Sequence, residues 1–430
     1  MKTLESIVTP MVRVTLNEAS EYLWAYQSTD ASLTYRFSAP TFEIDGENKT
    51  TLLRDIHAVS APEILSNGCK EYRFIGTFAA DDALSLEMIF RLADSSPVVR
   101  FRYILHSATA RKLTKSAGSD ALTYFFFSAA DCATVTEVKF SEFNEFVHSY
   151  CLVEEDITPG TFENSGTVMG PMLVGKANGH TMLVAYEHGS QVPNAFLQYD
   201  LTPEKNVSLR AVKGNYFSNQ PLTPESPYQT IWCEFAAIDG DEQALATTYR
   251  TFVLHDMTLN QASRTPYIFY NTWAFQERNK HWNKRPYLES MTQERMLQEI
   301  DVAHRMGIDV FVLDTGWYEK TGDWRVNAKR FSDNMSVVKE RLDRYGMKLG
   351  LWFSPTEAAV SSKILNDHRS CIMSWQGKES APHTVWETEE SQHICLVSRY
   401  KDAFADELIR LVNEVGVTYF KWDAIGQYGC

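Results

Sequence analysis

The chain has 430 residues, 44% of them hydrophobic and 22% charged, which are the values of a folded protein of two or three domains rather than a disordered chain. A net charge of −14, with no basic run anywhere, excludes an ordinary nucleic-acid partner, because affinity for phosphate backbones is built from Lys and Arg. No apolar stretch is long enough for a transmembrane helix, and Met1 to Ser6 form no apolar leader. Seven cysteines, at 69, 132, 151, 233, 371, 395 and 430, are odd in number, scattered and free of CxxC pairs. That pattern suits reduced, mostly buried thiols in a cytoplasmic protein and gives no support to a zinc site.

From the N-terminus to about residue 258 the sequence reads as β. Segments 71–78 and 98–105 alternate apolar and polar residues, and 122–127, 182–186 and 230–235 are further strand candidates between Gly, Asn, Asp and Pro clusters. An amphipathic helix is expected only at 242–254. Many strands without helices between them predict a sandwich.

After Arg264-Thr265-Pro266 a different unit recurs, made of an amphipathic helix, a glycine, a short apolar strand and a polar tip. Residues 267–270 open it. Helix 292–306 carries Met296, Leu297, Ile300 and Ala303 on one face, with Ser290 and Gln293 at capping-box spacing and Gly307 as its stop. Strand 308–313 follows. A helix with Val338, Leu342 and Tyr345 leads through Gly346 to strand 347–353. Another with Phe404, Leu408, Leu411 and Val415 leads through Gly416 to strand 417–422. This alternation predicts parallel strands with right-handed crossovers. Functional side chains stand at each strand end: Asn271 and Trp273; Asp314, Thr315 and Trp317; Ser354 and Thr356; Lys421 and Asp423. Convergence of strand ends on one pocket is the habit of a (β/α)₈ barrel, whereas the first turn lacks the glycine fingerprint of a dinucleotide-binding sheet. The fold expected is an all-β sandwich over 1–258 and the first half of a TIM barrel, strands 1–4, over 259–430. Four strands do not close a barrel, so either the sequence is truncated, which is the expectation, or a second polypeptide supplies the other half.

Asp423 ends a buried strand, and Lys421, two residues earlier, lies on the same side of the pleat. An ammonium there would keep the carboxylate ionised and aimed. The runs Val312-Leu313-Asp314-Thr315-Gly316-Trp317-Tyr318, Gly322-Asp323-Trp324-Arg325-Val326-Asn327, Lys348-Leu349-Gly350-Leu351-Trp352-Phe353 and Tyr419-Phe420-Lys421-Trp422-Asp423 occur in that order. Together they resemble the α-galactosidases of glycoside hydrolase family 36, the melibiase group. The β-rich first half is similar to that family's N-terminal supersandwich in character and length.

The resemblance implies a retaining α-glycosidase that hydrolyses terminal α-linked galactose or a related sugar by double displacement. Asp423 would be the nucleophile. Lys421, Asp314, Thr315, Trp317, Trp352 and Trp273 would hold the sugar. The acid/base aspartate would lie after a later strand, beyond Cys430. The chemistry requires no metal or organic cofactor. The partner is an oligosaccharide or glycoside, with no nucleic acid and no membrane, and a homo-oligomer is allowed. The aromatic content of 13% suits stacking on sugar faces as well as it suits a sandwich core.

The chain departs from the family pattern in three places, at four residues. Thr315 stands where a second aspartate is usual, Ser354 and Thr356 flank Pro355 in place of glutamates, and Glu390 lies near an expected arginine. They leave the galactose preference open, since a site built for one hydroxyl pattern discriminates against another. The plainer alternatives are a strand-end cap for Asp423, a turn residue for Asp314, a structural role for Asp323 and core packing for the tryptophans. His383 and His393 have the wrong spacing for HxxxH metal ligation and read as surface or loop-packing residues. The competing functions are a non-catalytic carbohydrate-binding homologue, an incomplete fragment, and a transglycosidase on α-galactosides.

Overall fold

The computed structural model describes residues 2–49, 51–115, 122–139, 143–144, 149–150, 153–189, 196–212, 219–375, 377–396 and 398–423. Cys151 and the stretch 426–430, including Cys430, lie outside them. The chain divides into two compact units, Met1–Arg264 and Thr265–Cys430.

The first unit is β-rich and antiparallel. Its largest sheet contains Lys70–Phe78, Asp81–Leu92 and Val99–Ser107 side by side, and continues through Cys233–Asp239, His180–Tyr186 and Pro171–Ala177. Lys2–Val8, Val12–Glu18, Tyr22–Ser28 and Thr34–Ser38 form a four-stranded meander. The two sheets share one apolar layer, because alternate residues of each strand point inward. Trp24 shows how it is filled. Its ring lies flat on Phe37 at 4.1 Å, meets Phe101 edge-on at 4.8 Å and donates its indole N–H to Tyr103 Oη at 2.9 Å. A buried indole needs such a partner, and here the second sheet supplies it. The strand expected at 230–235 is two strands, Tyr228–Gln229 and Cys233–Asp239. The expected helix is Glu242–Phe252, capped by Asp241, whose carboxylate accepts the Ala244 N–H at 2.9 Å.

The second unit holds four parallel strands, Phe269–Asn271, Val310–Leu313, Lys348–Phe353 and Tyr419–Trp422, paired in chain order. Helices Gln293–Arg305, Ser336–Arg344 and Tyr400–Val415 connect them and bury the faces read from the sequence, including Ile300, Val338, Leu342 and Leu411. Gly307, Gly346 and Gly416 end these helices at φ 75°, 67° and 78°, a left-handed turn that costs glycine nothing. The cap of the first helix differs from the expected one. Thr292, not Ser290, accepts the Arg295 N–H, at 3.3 Å. This is a β-rich N-terminal domain followed by part of a TIM barrel.

Segment 354–398 is more ordered than its sequence suggests. Glu357–Ala359, Glu390–His393 and His383–Thr384 form a three-stranded antiparallel sheet. Strands of two to four residues are too short to show a period of two. Asp323 has a structural role beside it, accepting the Lys363 and Ile364 N–H groups at 3.0 and 2.9 Å, at the start of helix Lys363–Asp367. Cys69, Cys132, Cys233 and Cys371 are free and buried. Cys395 is disulfide-bonded, which corrects the expectation of reduced thiols at that position. No helix among the described residues is long and apolar enough to cross a membrane.

Gly322 fixes this small sheet to the barrel. It sits at φ 84°, and a Cβ on it would meet Ile364 Cγ2 and approach Ala358 Cβ and Cα to 2.9 and 3.1 Å. A left-handed alanine costs about 1–2 kcal/mol, and crowding a packed contact about 1–3 kcal/mol more. Gly322→Ala is therefore expected to destabilise the second unit by roughly 2–5 kcal/mol in urea denaturation. An unchanged midpoint would mean that the contact is loose enough to yield.

Candidate active site

The site is built where the second, third and fourth barrel strands end. Val310–Leu313 is buried throughout, so the chain emerges from it with Asp314 wholly enclosed. An enclosed carboxylate must have its lone pairs satisfied. Asp314 Oδ1 accepts the Thr315 backbone N–H at 2.8 Å and the Thr315 hydroxyl at 3.1 Å, while Oδ2 faces Lys421 Nζ at 2.8 Å. Thr272 and Gln276 hold this corner from the first strand's end. Thr272 Oγ1 accepts the Asp314 N–H at 2.9 Å, and Gln276 Nε2 donates to the Thr315 carbonyl at 2.8 Å.

Lys421 and Asp423 come from the fourth strand. The ammonium lies 3.9 Å from Asp423 Oδ2, so it stands between a buried carboxylate and a half-exposed one, at 1% and 50% side-chain exposure. The expected neighbour, Asp423, is the more distant of its two partners, and the closer is Asp314. Asp423 is aimed instead by the third strand. The Trp352 indole N–H donates to Asp423 Oδ2 at 3.0 Å, and the Asp423 N–H donates to the Phe353 carbonyl at 2.9 Å. Trp317 is buried one layer deeper, spending its own indole N–H on the Trp352 carbonyl at 2.8 Å. Trp273 is largely exposed, with its ring centre 5.9 Å from Lys421 Nζ.

The seven candidate residues are thus distributed unevenly. Asp314, Lys421, Asp423 and Trp352 form one connected constellation with Trp273 at its edge. Thr315 turns its hydroxyl onto Asp314, and Trp317 packs beneath among Tyr318, Trp324 and Phe353. Glu390 is exposed and pairs with Thr384 in the small sheet.

Three features have no local signal in the sequence. Tyr287 is fully buried, and its hydroxyl has no hydrogen-bond partner among the described residues. Burial first, and then the nearby Asp314 charge, push its pKa up, so it stays protonated and able to donate. Its ring stacks on Trp386 at 5.0 Å. Beside Trp352 a pocket of about 290 Å³ is lined by Ser354, Glu357, His383, Thr384, Val385 and Trp386. The carboxylate of Glu357 and the ring of His383, both on its wall, converge with the ring of His393, one ligand atom from each lying within 4.8 Å of the others. Both histidines are partly exposed, as a surface reading allows, but they stand on paired strands, which corrects the expectation of loop packing.

The Melibiase family model matches residues 247–427, the segment that contains every residue of this constellation. The chain carries a Melibiase domain. Among curated proteins, the chain is similar to α-galactosidase Mel36A of Lactobacillus acidophilus, at 24% identity over 140 residues, covering 30% of this chain and 18% of that one. A galactosaminidase of Flavonifractor plautii, described as an A type blood α-D-galactosamine galactosaminidase, is 24% identical over 152 residues, covering 34% of this chain and 14% of that one. The fold is that of the family 36 α-galactosidases. The solved structure of AgaB from Geobacillus stearothermophilus superposes with TM-score 0.67 at 12% identity, covering 98% of this chain and 66% of its own. A variant of AgaA from the same organism, in complex with raffinose, gives 0.66 at 12% identity, covering 98% and 65%. The chain thus spans about two thirds of those solved chains, and its matched stretch less than a fifth of the Lactobacillus enzyme.

Removing Lys421 tests the electrostatic link within the Melibiase domain. Lys421→Met leaves the Asp314 carboxylate enclosed without its cation, and breaking such a pair costs about 3–5 kcal/mol. Adding Asp314→Asn is expected to restore part of that loss, with a coupling of roughly 1–3 kcal/mol in a double-mutant cycle of unfolding free energies. Strictly additive losses would show that the two groups stabilise the fold independently.

Proposed function

We propose that the protein is a retaining α-glycosidase of the α-galactosidase type, with Asp423 as its nucleophile. The supporting observation is the state of Asp423. It is a strand-end carboxylate at a partly exposed position, aimed by an indole N–H and flanked by an ammonium, inside a Melibiase domain. A nucleophile has to be ionised and accessible, whereas a structural carboxylate has to be covered. Asp314 meets the second description and Asp423 the first.

In this reading Asp423 attacks the anomeric carbon of a terminal α-linked sugar. The glycosidic oxygen leaves with a proton from a second carboxyl, and a glycosyl ester forms on Asp423. Water, deprotonated by that same second carboxyl, then attacks the anomeric carbon and releases the sugar with its configuration retained. The acid/base is assigned to none of the described residues, and a retaining site asks for it about 5–5.5 Å from Asp423. In this reading Lys421 grips a ring hydroxyl through a charge-assisted hydrogen bond, Asp314 behind it fixes the ammonium, and Trp273 borders an apolar face of the sugar. Thr315 presents no second carboxylate, so both galactose and a galactose-related sugar with an altered substituent are proposed as substrates. The raffinose complex of the AgaA variant and the galactosaminidase relative mark the range of substrates to try.

The test uses protein expressed from the complete gene, assayed on nitrophenyl α-galactoside and α-N-acetylgalactosaminide. Asp423→Ala is expected to lower turnover on the order of 10⁴-fold, with azide restoring part of it as a glycosyl azide of inverted configuration. Hydrolysis that persists in Asp423→Ala would remove Asp423 from the nucleophile role.

A further inference from the structure

We propose that Glu357, His383 and His393 form a binding site for a first-row divalent transition-metal ion of the zinc class. The sheet register puts them together. Glu357 and His393 are direct cross-strand partners, and His383 is paired with Ser391, two residues from His393 on the same face. Three adjacent strands therefore project three donor side chains from one surface. Glu357 is 1% exposed, and its Oε1 lies 3.2 Å from His383 Nε2 and 2.7 Å from His393 Nδ1. The two rings lie 4.3 Å apart, inclined by 34°.

An ion pair alone accounts poorly for this arrangement. One protonated imidazole neutralises one carboxylate, yet two rings crowd a single oxygen. His393 Nδ1, although 2.7 Å from that oxygen, is buried and lacks the alignment of a hydrogen bond. A cation between the three atoms satisfies all of them together. A tetrahedral ion with bonds of about 2.0–2.1 Å holds its ligand atoms roughly 3.4 Å apart, against 3.2 Å to His383 and 2.7 Å to His393 from Glu357 Oε1 here, so His393 has to draw back from the carboxylate to admit it. Rotating the two partly exposed histidines supplies that movement.

The donor set selects the metal. Calcium and magnesium take oxygen ligands, in numbers that one carboxylate does not meet. Two imidazoles and a carboxylate suit zinc, cobalt, nickel, copper or ferrous iron, and the absence of thiolate disfavours the softest ions. Three protein ligands leave an open position, as at zinc sites that bind an exchangeable fourth ligand. The pocket of about 290 Å³ beside Trp352 receives that position, and it is lined by Ser354, whose buried hydroxyl has no hydrogen-bond partner among the described residues. The fourth ligand is then water or a hydroxyl of a bound molecule, one tryptophan away from Asp423.

The test is metal binding by the full chain, read without any activity assay. Chelator-treated protein is titrated with Co²⁺, followed by its visible absorption, and with Zn²⁺ by calorimetry. One equivalent is expected to bind. Glu357→Gln and His383→Gln should each weaken binding by about 100-fold or more, beyond the 10–100-fold typical of groups behind the ligands. His57→Gln, on an exposed strand of the first unit, should leave it unchanged. His383 is partly exposed, so its variant is the one expected to keep a native far-UV circular dichroism spectrum if Glu357→Gln misfolds. No binding by the parent chain, or equal binding by His383→Gln and the parent, would overturn the proposal.

Discussion

The second unit depends on one enclosed charge. Asp314 is buried at a point where four elements meet, and burying a lone carboxylate is costly enough to dictate what surrounds it. Thr315 folds back on it, Thr272 accepts its backbone N–H, and Lys421 reaches across from the fourth strand to neutralise it. Once Lys421 is committed there, its position beside Asp423 follows. The register of the fourth strand against the third then brings Asp423 under the Trp352 indole. A buried ion pair of this kind is weak evidence for stability but good evidence for a fixed arrangement, because alternative registers would strand one of the charges.

The first unit reaches its stability by a different route. Its sheets meet through aromatic rings that pack edge to face, and Trp24 alone touches Phe37, Phe90 and Phe101. Part of the aromatic content, ambiguous in the sequence, is accounted for here. The second unit also packs Trp317, Tyr318, Trp324 and Phe353 edge to face, and it adds a second use, in which the Trp352 indole N–H holds the Asp423 carboxylate.

Legibility in the sequence followed the range of the interactions. The parallel strands and their helices were readable because left-handed glycines and helical faces are local signals, as at Gly307, Gly346 and Gly416. The proximity of Lys421 and Asp423 was readable from a spacing of two. That Lys421 binds Asp314 more closely was not, since a contact spanning 107 residues leaves no local trace. The Glu357, His383 and His393 cluster was missed for the same reason. A search for metal ligands by helical spacing passes over donors gathered by strand pairing, and these strands are too short to announce themselves. Tyr287 carried no signal at all, lying in a loop whose burial is decided by Trp386, a hundred residues on.

The run of indoles from Trp317 to Trp352 to Asp423 gives the core a direct hold on the reactive edge. Trp317 has no surface, yet its N–H fixes the carbonyl of the residue whose own N–H fixes the carboxylate. Position is transmitted outward through two rigid rings, each with only two side-chain torsions to lose. Drift in the hydrophobic interior of this barrel would therefore be felt as a change in the direction of an oxygen lone pair. Any redesign of the pocket has to treat this part of the core as the machine bed on which the tool is mounted.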